Sequence, residues 1–420
     1  MKPKLIVSAP ASSRSGYGDH TRDLIHSLVK MDRFKIQILD QRWGICPRDA
    51  MPNEFKKMVI PNLTERPDIW IQITVPNEFQ KVGKYNIGIT AGMETDRASV
   101  EWIQGVNRMD LVIVPSEHAK NVFKSSTYQE KDQKTNEVVQ ELKLTTNVEV
   151  LFEGLDTTIF NKSVKNSENL YTSLNSIPEA NCYLVAGHWL KGQFGHDRKD
   201  IGGTISTFLE AFKNKSAKNQ PALVIKTSKT SYSVTDREEI LNRIRQIRSS
   251  IDTPGHVPNV YLLHGDLTPD EMNGLYHHPK IKAMLSFTHG EGFGRPLLEF
   301  GVTGKPILVS NWSGHLDFIS EHGLLLQGQL RPVDKSAQWE KVIVEAANWY
   351  YVDYGYATGV IKDVDSNYKK HLAKSRKQKQ YIKDNFTLDR MTEIFTKQME
   401  THLPSFEPEL PTLESLETYE

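Results

Sequence analysis

Short apolar runs alternate along the chain with stretches whose apolar positions recur every three or four residues, the pattern of strands separated by helices. In the first half the runs fall at residues 5–7, 35–39, 69–73, 86–90, 111–114 and 148–151. The pattern then restarts at 182–186, 223–225, 260–263, 283–287 and 307–310. After the first run, Leu24, Ile25, Leu28 and Val29 share one helical face. Thr268-Pro269-Asp270-Glu271 has the residue order of a capping box with proline in the first turn. Two successive strand–helix series predict an α/β protein of two doubly wound sheets. Ligands are then expected at the carboxyl ends of the strands and in the cleft between the domains.

The same pattern divides the chain into an N-terminal domain over 1–160, a polar, irregular linker over 161–180, a C-terminal domain over 181–345 and helices over 346–403. A second polar stretch, 124–147, is expected to form a surface loop or hairpin. After Tyr350 a tyrosine-rich bend precedes a helical stretch over 367–403, interrupted near Asp384-Asn385. The acidic tail, 404–420, contains three prolines and is expected to be disordered.

Composition narrows the picture only a little. A chain of 420 residues is too long for a single core, and 38% hydrophobic with 25% charged residues describes a globular protein, not a disordered one. A net charge of zero removes any global field toward DNA or anionic lipid, so such an affinity would need a local patch. Cys46 and Cys182 lie far apart, which argues for a reducing compartment and against a disulfide scaffold. The strand starting at Leu5 leaves no room for a signal peptide, and no apolar run approaches a membrane span. A cytoplasmic location with no membrane partner is expected. No feature sets an oligomeric state.

The candidate chemistry concentrates in Thr288-His289-Gly290-Glu291-Gly292-Phe293-Gly294-Arg295-Pro296-Leu297-Leu298-Glu299. Gly292 and Gly294 allow the backbone to approach a ligand closely. Pro296 suits the first helical position, and the free N–H groups of that turn favour a phosphate. Glu299 falls inside the helix, where a carboxylate can accept two ribose hydroxyls; Glu291 lies on the loop side, where a second sugar would sit. Phosphate between two sugars describes a nucleotide sugar.

These residues resemble the family 4 type retaining glycosyltransferases, in which Glu291 and Glu299 would be the E-x7-E element. Further segments match in order: Val114-Pro115-Ser116 with Lys120, Gly154-Leu155-Asp156 with Phe160, Arg198-Lys199 before Phe208–Phe212, and Lys305-Pro306 with Ser313-Gly314. The resemblance covers residues 4–345. It implies the GT-B fold, two Rossmann-like domains facing a cleft, with a C-terminal helical extension over 346–403 that crosses back to the first domain and with 124–147 beside the acceptor side. It also implies transfer of a hexosyl or pentosyl group from a nucleotide-diphosphate sugar to an acceptor hydroxyl with retention, without cofactor or obligate metal. On this resemblance Glu291 and Lys199 are the catalytic pair. Gly16, Gly18, Arg198, Lys226, Gly292, Phe293, Gly294 and Glu299 surround the donor, and Tyr17, His20 and Glu94 lie on the acceptor side.

Several residues admit a plainer reading. Arg198 and Lys199, flanked by Asp197 and Asp200, are either diphosphate ligands or a solvated loop pair. Lys226 is a phosphate ligand or a surface lysine, and Glu94 orients the acceptor or caps a helix. The family's arginine after the first strand of this domain is absent; His188, Lys191 or Arg198 stands in for it. His289 abuts the motif, and the histidines show no metal-ligand spacing. The basic run Lys369, Lys370, Lys374, Arg376, Lys377, Lys379 and Lys383 has the composition of a solvated helix face.

The wording of 15–20 and 70–79 resembles glycosyltransferases of tailed phages, some of which decorate hydroxymethylated bases with glucose or arabinose. Modified duplex DNA carrying hydroxymethylcytosine is therefore the expected acceptor, in the host cytoplasm. Transfer to a glycan, lipid-linked sugar or protein is the alternative within the class. A nucleotide-sugar epimerase of similar architecture is the alternative outside it.

Overall fold

The computed structural model describes residues 2–131, 138–163, 168–229 and 231–406. In the first half, strands β1 (Lys4–Ala9), β2 (Lys35–Asp40), β3 (Ile69–Ile73), β4 (Tyr85–Ile89) and β5 (Leu111–Val114) are followed by a hairpin, β6 (Tyr128–Lys131) and β7 (Val138–Leu142), and by β8 (Asn147–Val150). All but the hairpin form one parallel sheet in the order β2-β1-β3-β4-β5-β8. Helices α1 (Gly16–Met31), α2 (Asn53–Lys56), α3 (Val100–Val106) and α4 (Glu117–Ser125) accompany it. Leu24, Ile25 and Leu28 bury the inner face of α1, each contributing about 1.5–3 kcal/mol on leaving water. Val29, expected on the same face, is exposed.

The second half contains α5 (Glu168–Asn175), β9 (Cys182–Ala186), α6 (Ile201–Phe212), β10 (Ala222–Lys226), α7 (Val234–Ser249), β11 (Val260–Leu263), α8 (Pro269–His277), β12 (Ile281–Ser286), α9 (Arg295–Gly301), β13 (Ile307–Ser310) and β14 (Leu324–Leu326). Its strands form a second parallel sheet, β11-β10-β9-β12-β13-β14. The capping box of α8 forms as expected, with Thr268 and Glu271 satisfying each other's backbone N–H groups. An antiparallel pair, β15 (Gly328–Pro332) and β16 (Asn348–Val352), then precedes α10 (Tyr354–Ser366), α11 (Tyr368–Asn385) and α12 (Leu388–His402).

Helix α12 lies against α1 of the first domain. Ser27 and Thr392 share a hydrogen bond of 2.8 Å, and Leu155 exchanges backbone hydrogen bonds with Phe386 and Leu388. A Cβ on Gly154 would come within 2.6 Å of the Leu388 backbone, so only glycine admits this return.

Four sequence expectations change. The 161–180 stretch is not wholly irregular: α5 occupies its middle, with Leu174 buried in the core. The tyrosine-rich stretch is not a bend but strand β16 leading into α10, because Trp349 and Tyr350 face inward. Pro296 occupies the second helical position, after Arg295. The tail is described only as far as Phe406, which packs against the core; 407–420 lie outside the described residues, as does part of the expected 124–147 hairpin.

Candidate active site

Strands β9 and β12 are neighbours in the second sheet, while the chain leaves them in opposite directions. That reversal opens a crevice at their carboxyl ends, the usual ligand position in a doubly wound sheet. The loop after β9 carries Arg198 and Lys199, and the loop after β12 carries Thr288 to Glu291. The backbone joins the loops: His289 N–H donates to the Arg198 carbonyl at 2.8 Å. The Lys199 ammonium donates to one oxygen of Glu291, and Arg198 donates to the other at 3.1 Å and to the Gly290 carbonyl at 3.1 Å. Glu94, from the first domain, stands 3.9 Å from the same guanidinium. Two acids and two bases from three segments thus meet at the cleft.

The flanking acids decide how the loop is turned. Asp197 and Asp200 are 1% and 0% exposed. Asp197 accepts the Ile201 N–H. Asp200 caps α6 by accepting from Gly203 N–H and accepts from the Tyr354 hydroxyl at 2.7 Å. With both acids facing inward, Arg198 and Lys199 face the cleft and are not a solvated pair. Gly187 leaves room for the Lys199 stem, which lies 3.2 Å from where a Cβ would be. Burial pushes the Glu291 carboxyl up, but Lys199 and Arg198 overrule it and hold the group at about 2. Burial raises Glu94, Arg198 opposing, so the two carboxyls are driven apart in acidity.

The glycines of the motif serve a different purpose from the one expected. A Cβ on Gly292 would lie 1.9 Å from the Ala91 carbonyl oxygen, and one on Gly290 would lie 1.9 Å from that of Glu94. Both face the backbone of the first domain, not a ligand. Ser116 completes the contact by donating to the Gly292 carbonyl at 2.6 Å. The Ser313 hydroxyl accepts the Glu291 N–H at 2.9 Å, which fixes this residue from beneath. Gly294, at φ 99°, is the position whose conformation demands glycine.

At the far end of the motif Glu299 is largely but not fully buried and accepts from Tyr276 at 3.2 Å and Arg295 at 3.1 Å. Arg295 also reaches Asp23 of α1 at 2.5 Å and stands 3.9 Å from Glu153. One guanidinium therefore serves acids from both domains. Burial, with Arg295 opposing, raises Glu299 to about 7 and Glu153 to about 8. The sign follows: the folded protein keeps protons that the unfolded chain releases near 4.5, so stability falls as pH rises from there to about 8. Each group contributes at most about 1.4 kcal/mol per pH unit within its window. Glu153→Gln is accordingly expected to gain stability over the parent at pH 8 and little at pH 5. Urea midpoints at both pH values check this, and parallel shifts would refute it.

No protein-family model matches the chain, and no curated protein matches it in sequence. Solved structures do resemble it. A glycosyltransferase from Rickettsia africae superposes with a TM-score of 0.63 at 12% identity, over 96% of this chain and 99% of that one. Sucrose-phosphate synthase from Thermosynechococcus elongatus gives 0.61 at 11% identity, over 95% and 98%. HepE from Anabaena, solved with UDP and glucose, gives 0.57 at 12% identity, over 95% and 100%. The chain has the GT-B fold.

Within the GT-B cleft the remaining residues fall into place unevenly. His188 bonds Ser228 at 3.0 Å and is lowered to about 4 by burial, with Lys226, Lys199 and Arg198 adding to it, so it faces the cationic cluster as a neutral ring. Lys191 is turned away and donates to the Gln338 carbonyl. Lys226 is half-buried at the end of β10; its carbonyl accepts the Gly187 N–H at 3.1 Å, while its ammonium has no hydrogen-bonding partner among the described residues. Gly16 opens α1 with nothing within 4 Å of a Cβ, whereas a Cβ on Gly18 would lie 2.0 Å from the Ser13 carbonyl oxygen. Tyr17 accepts from the N–H groups of Ala91 and Gly92, and so anchors the loop that carries Glu94.

Two expected contacts, those of Phe293 and His20, are corrected. Phe293 is buried against Phe318, so its ring belongs to the core and only its backbone faces the site. His289 is fully buried, both ring nitrogens facing the carbonyls of Tyr350 and Gly195, and cannot reach a sugar. His20 is buried with Nδ1 unpartnered, and burial lowers it to about 3. The basic run is the solvated face of α11, whose His371, Ser375, Gln378 and Ile382 point inward.

Sequence reasoning assigned no role to Ser116, Ser313, Arg295, Glu153 or Asp23. Ser116 and Ser313 lie in segments already matched, and Arg295 carried a local signal, since it and Glu299 are one helical turn apart. Among the described residues no group of His, Cys, Asp and Glu is placed to hold a metal ion, and no helix is long and apolar enough to cross a membrane.

Proposed function

We propose that the protein is a retaining glycosyltransferase that moves a sugar from a nucleotide-diphosphate sugar to an acceptor hydroxyl. The observation that carries this reading is the convergence of Lys199, Arg198 and Glu291 at the switch point of the second sheet. Lys226 and His188 stand beside the two cations. A diphosphate is the ligand such a cluster suits, because negative charge grows on it as it departs and the charges are already in place. Arriving donor must draw Lys199 and Arg198 away from Glu291, which frees that carboxylate for the sugar hydroxyls. Glu299 accepts the ribose hydroxyls once Arg295 and Tyr276 have oriented it.

In this mechanism the bond between the anomeric carbon and the phosphate oxygen breaks, its electron pair leaving with the diphosphate. The acceptor oxygen forms the new bond on the same face through an oxocarbenium-like state, and its proton passes to the departing phosphate oxygen. Glu94 stands where an acceptor hydroxyl would be oriented, and no covalent nucleophile is assigned. Retention rests on the resemblance to family 4 enzymes. The acceptor we propose is hydroxymethylcytosine in phage DNA, supported by the wording of 15–20 and 70–79.

The test is incubation with radiolabelled nucleotide sugars and either hydroxymethylated or ordinary DNA. Label on the modified duplex alone is expected. Label on neither removes DNA as acceptor, and epimerised donor without transfer removes the transferase reading.

A further inference from the structure

One face of the first sheet is covered by α3 and α4 along part of its width, but the connections flanking β3 add no helix beside them. Register places Leu39 of β2, Ser8 of β1 and Gln72 of β3 in one row. The connection from β2 to β3 contains only α2, whose Phe55 packs in the core with α1. The connection from β3 to β4 contains only the turn Pro76–Glu78. Neither lays a helix over the row, and a cavity of about 520 Å³ remains, reaching from Ser8 and Gln72 to Trp43, Arg42, Leu63 and Trp70. That volume lies within the range of small-ligand sites, roughly 300–1,000 Å³. It adjoins β1 and β3, between which the strand order reverses.

Three features say what would fill it. Trp43 lines it and stacks by one face on Tyr17, with ring centroids 4.1 Å apart. Trp70 is buried in its wall, and the indole N–H has no acceptor among the described residues. Arg42 is exposed at the rim without a partner there, while the lining carboxylate, Glu78, already accepts from Thr74. The cavity thus offers an aromatic platform, a buried donor and an uncommitted cation. It is also joined to the reaction centre. The Tyr17 hydroxyl, held by Ala91 and Gly92, would touch a Cβ on Gly92 at 3.4 Å, and a Glu94 oxygen would lie 3.9 Å from that same atom.

We propose that this cavity is the acceptor subsite, and that it takes a planar nucleobase turned out of a polynucleotide strand. Trp43 is the stacking platform and Arg42 meets the flanking phosphate. The assignment rests on the glycosyltransferase reading for its role, but not for the binding itself. Stacking tolerates any base, and a phosphate contact makes affinity depend on salt. Extrusion of the target base brings its substituent toward Glu94.

The test uses the full chain, a fluorescein-labelled single-stranded oligodeoxynucleotide, a neutral maltooligosaccharide and, separately, UDP. Oligonucleotide binding that weakens with added salt is expected. Arg42→Ala and the cavity-filling Leu63→Trp, both at exposed positions, should each weaken it, and Trp43→Ala should weaken it roughly tenfold or more. Oligonucleotide binding indifferent to all three variants, or binding of the neutral sugar in its place, overturns the proposal. Calorimetry with UDP is the independent arm. UDP failing to bind while the oligonucleotide binds would sink the donor reading and leave the cavity assignment standing.

Discussion

Lys199→Met should reduce turnover by roughly 10²–10³-fold, the loss seen when one preorganised charge-stabilising donor is removed from an enclosed site. The fold should survive. Glu291 keeps Arg198 at 3.1 Å and the Ser313 hydroxyl on its N–H, so no carboxylate is left buried without a partner. The methionine stem can occupy the space over Gly187 that the lysine stem fills now. A merely structural lysine would change stability and leave the rate per folded molecule intact. Single-turnover rates at saturating donor, set beside the melting temperature, separate the two. Turnover near the parent value would exclude Lys199 from the chemistry.

Gly290→Ala tests the domain contact itself. The new methyl carbon would lie 1.9 Å from the Glu94 carbonyl oxygen, and backbone cannot swing aside as a side-chain tip can. Overpacking of this kind costs about 1–3 kcal/mol when the structure yields locally. Here the cheaper response is for the two domains to part, which would carry Glu94 away from Arg198. Near-complete loss of transfer with an increased radius of gyration in small-angle scattering is expected. Gly16→Ala is the contrast: its Cβ would meet nothing within 4 Å, so stability should hardly move. Full activity in Gly290→Ala would mean that closure is not needed for catalysis.

Both experiments probe features that a linear reading handled differently. The E-x7-E spacing and the glycines around it were plain in the sequence, as were Arg198 and Lys199 ahead of their helix. What the glycines face was not, since Gly290 and Gly292 approach residues about two hundred positions earlier, which no local pattern encodes. The same holds for Asp197 and Asp200. In sequence they look like solvent-facing neighbours of two cations; in the fold a left-handed Asp200 and the Tyr354 hydroxyl turn them inward. Phe293 was misplaced for a related reason. Adjacency to a motif says nothing of direction, and Phe318 claims that ring.

The chain by itself determined the alternation of strands and helices, the capping box at Thr268 and the spacing of Glu291 and Glu299. All of these depend on interactions within a few residues, where strand and helix periods and cap geometry act. Only the tertiary structure decided the strand order in each sheet, the meeting of Glu94, Arg198, Lys199 and Glu291, and the sharing of Arg295 between domains. Those pairings join residues scores to hundreds of positions apart. They exist because strand order reverses beside β9 and because the glycine-rich turn can press backbone to backbone against the opposite domain.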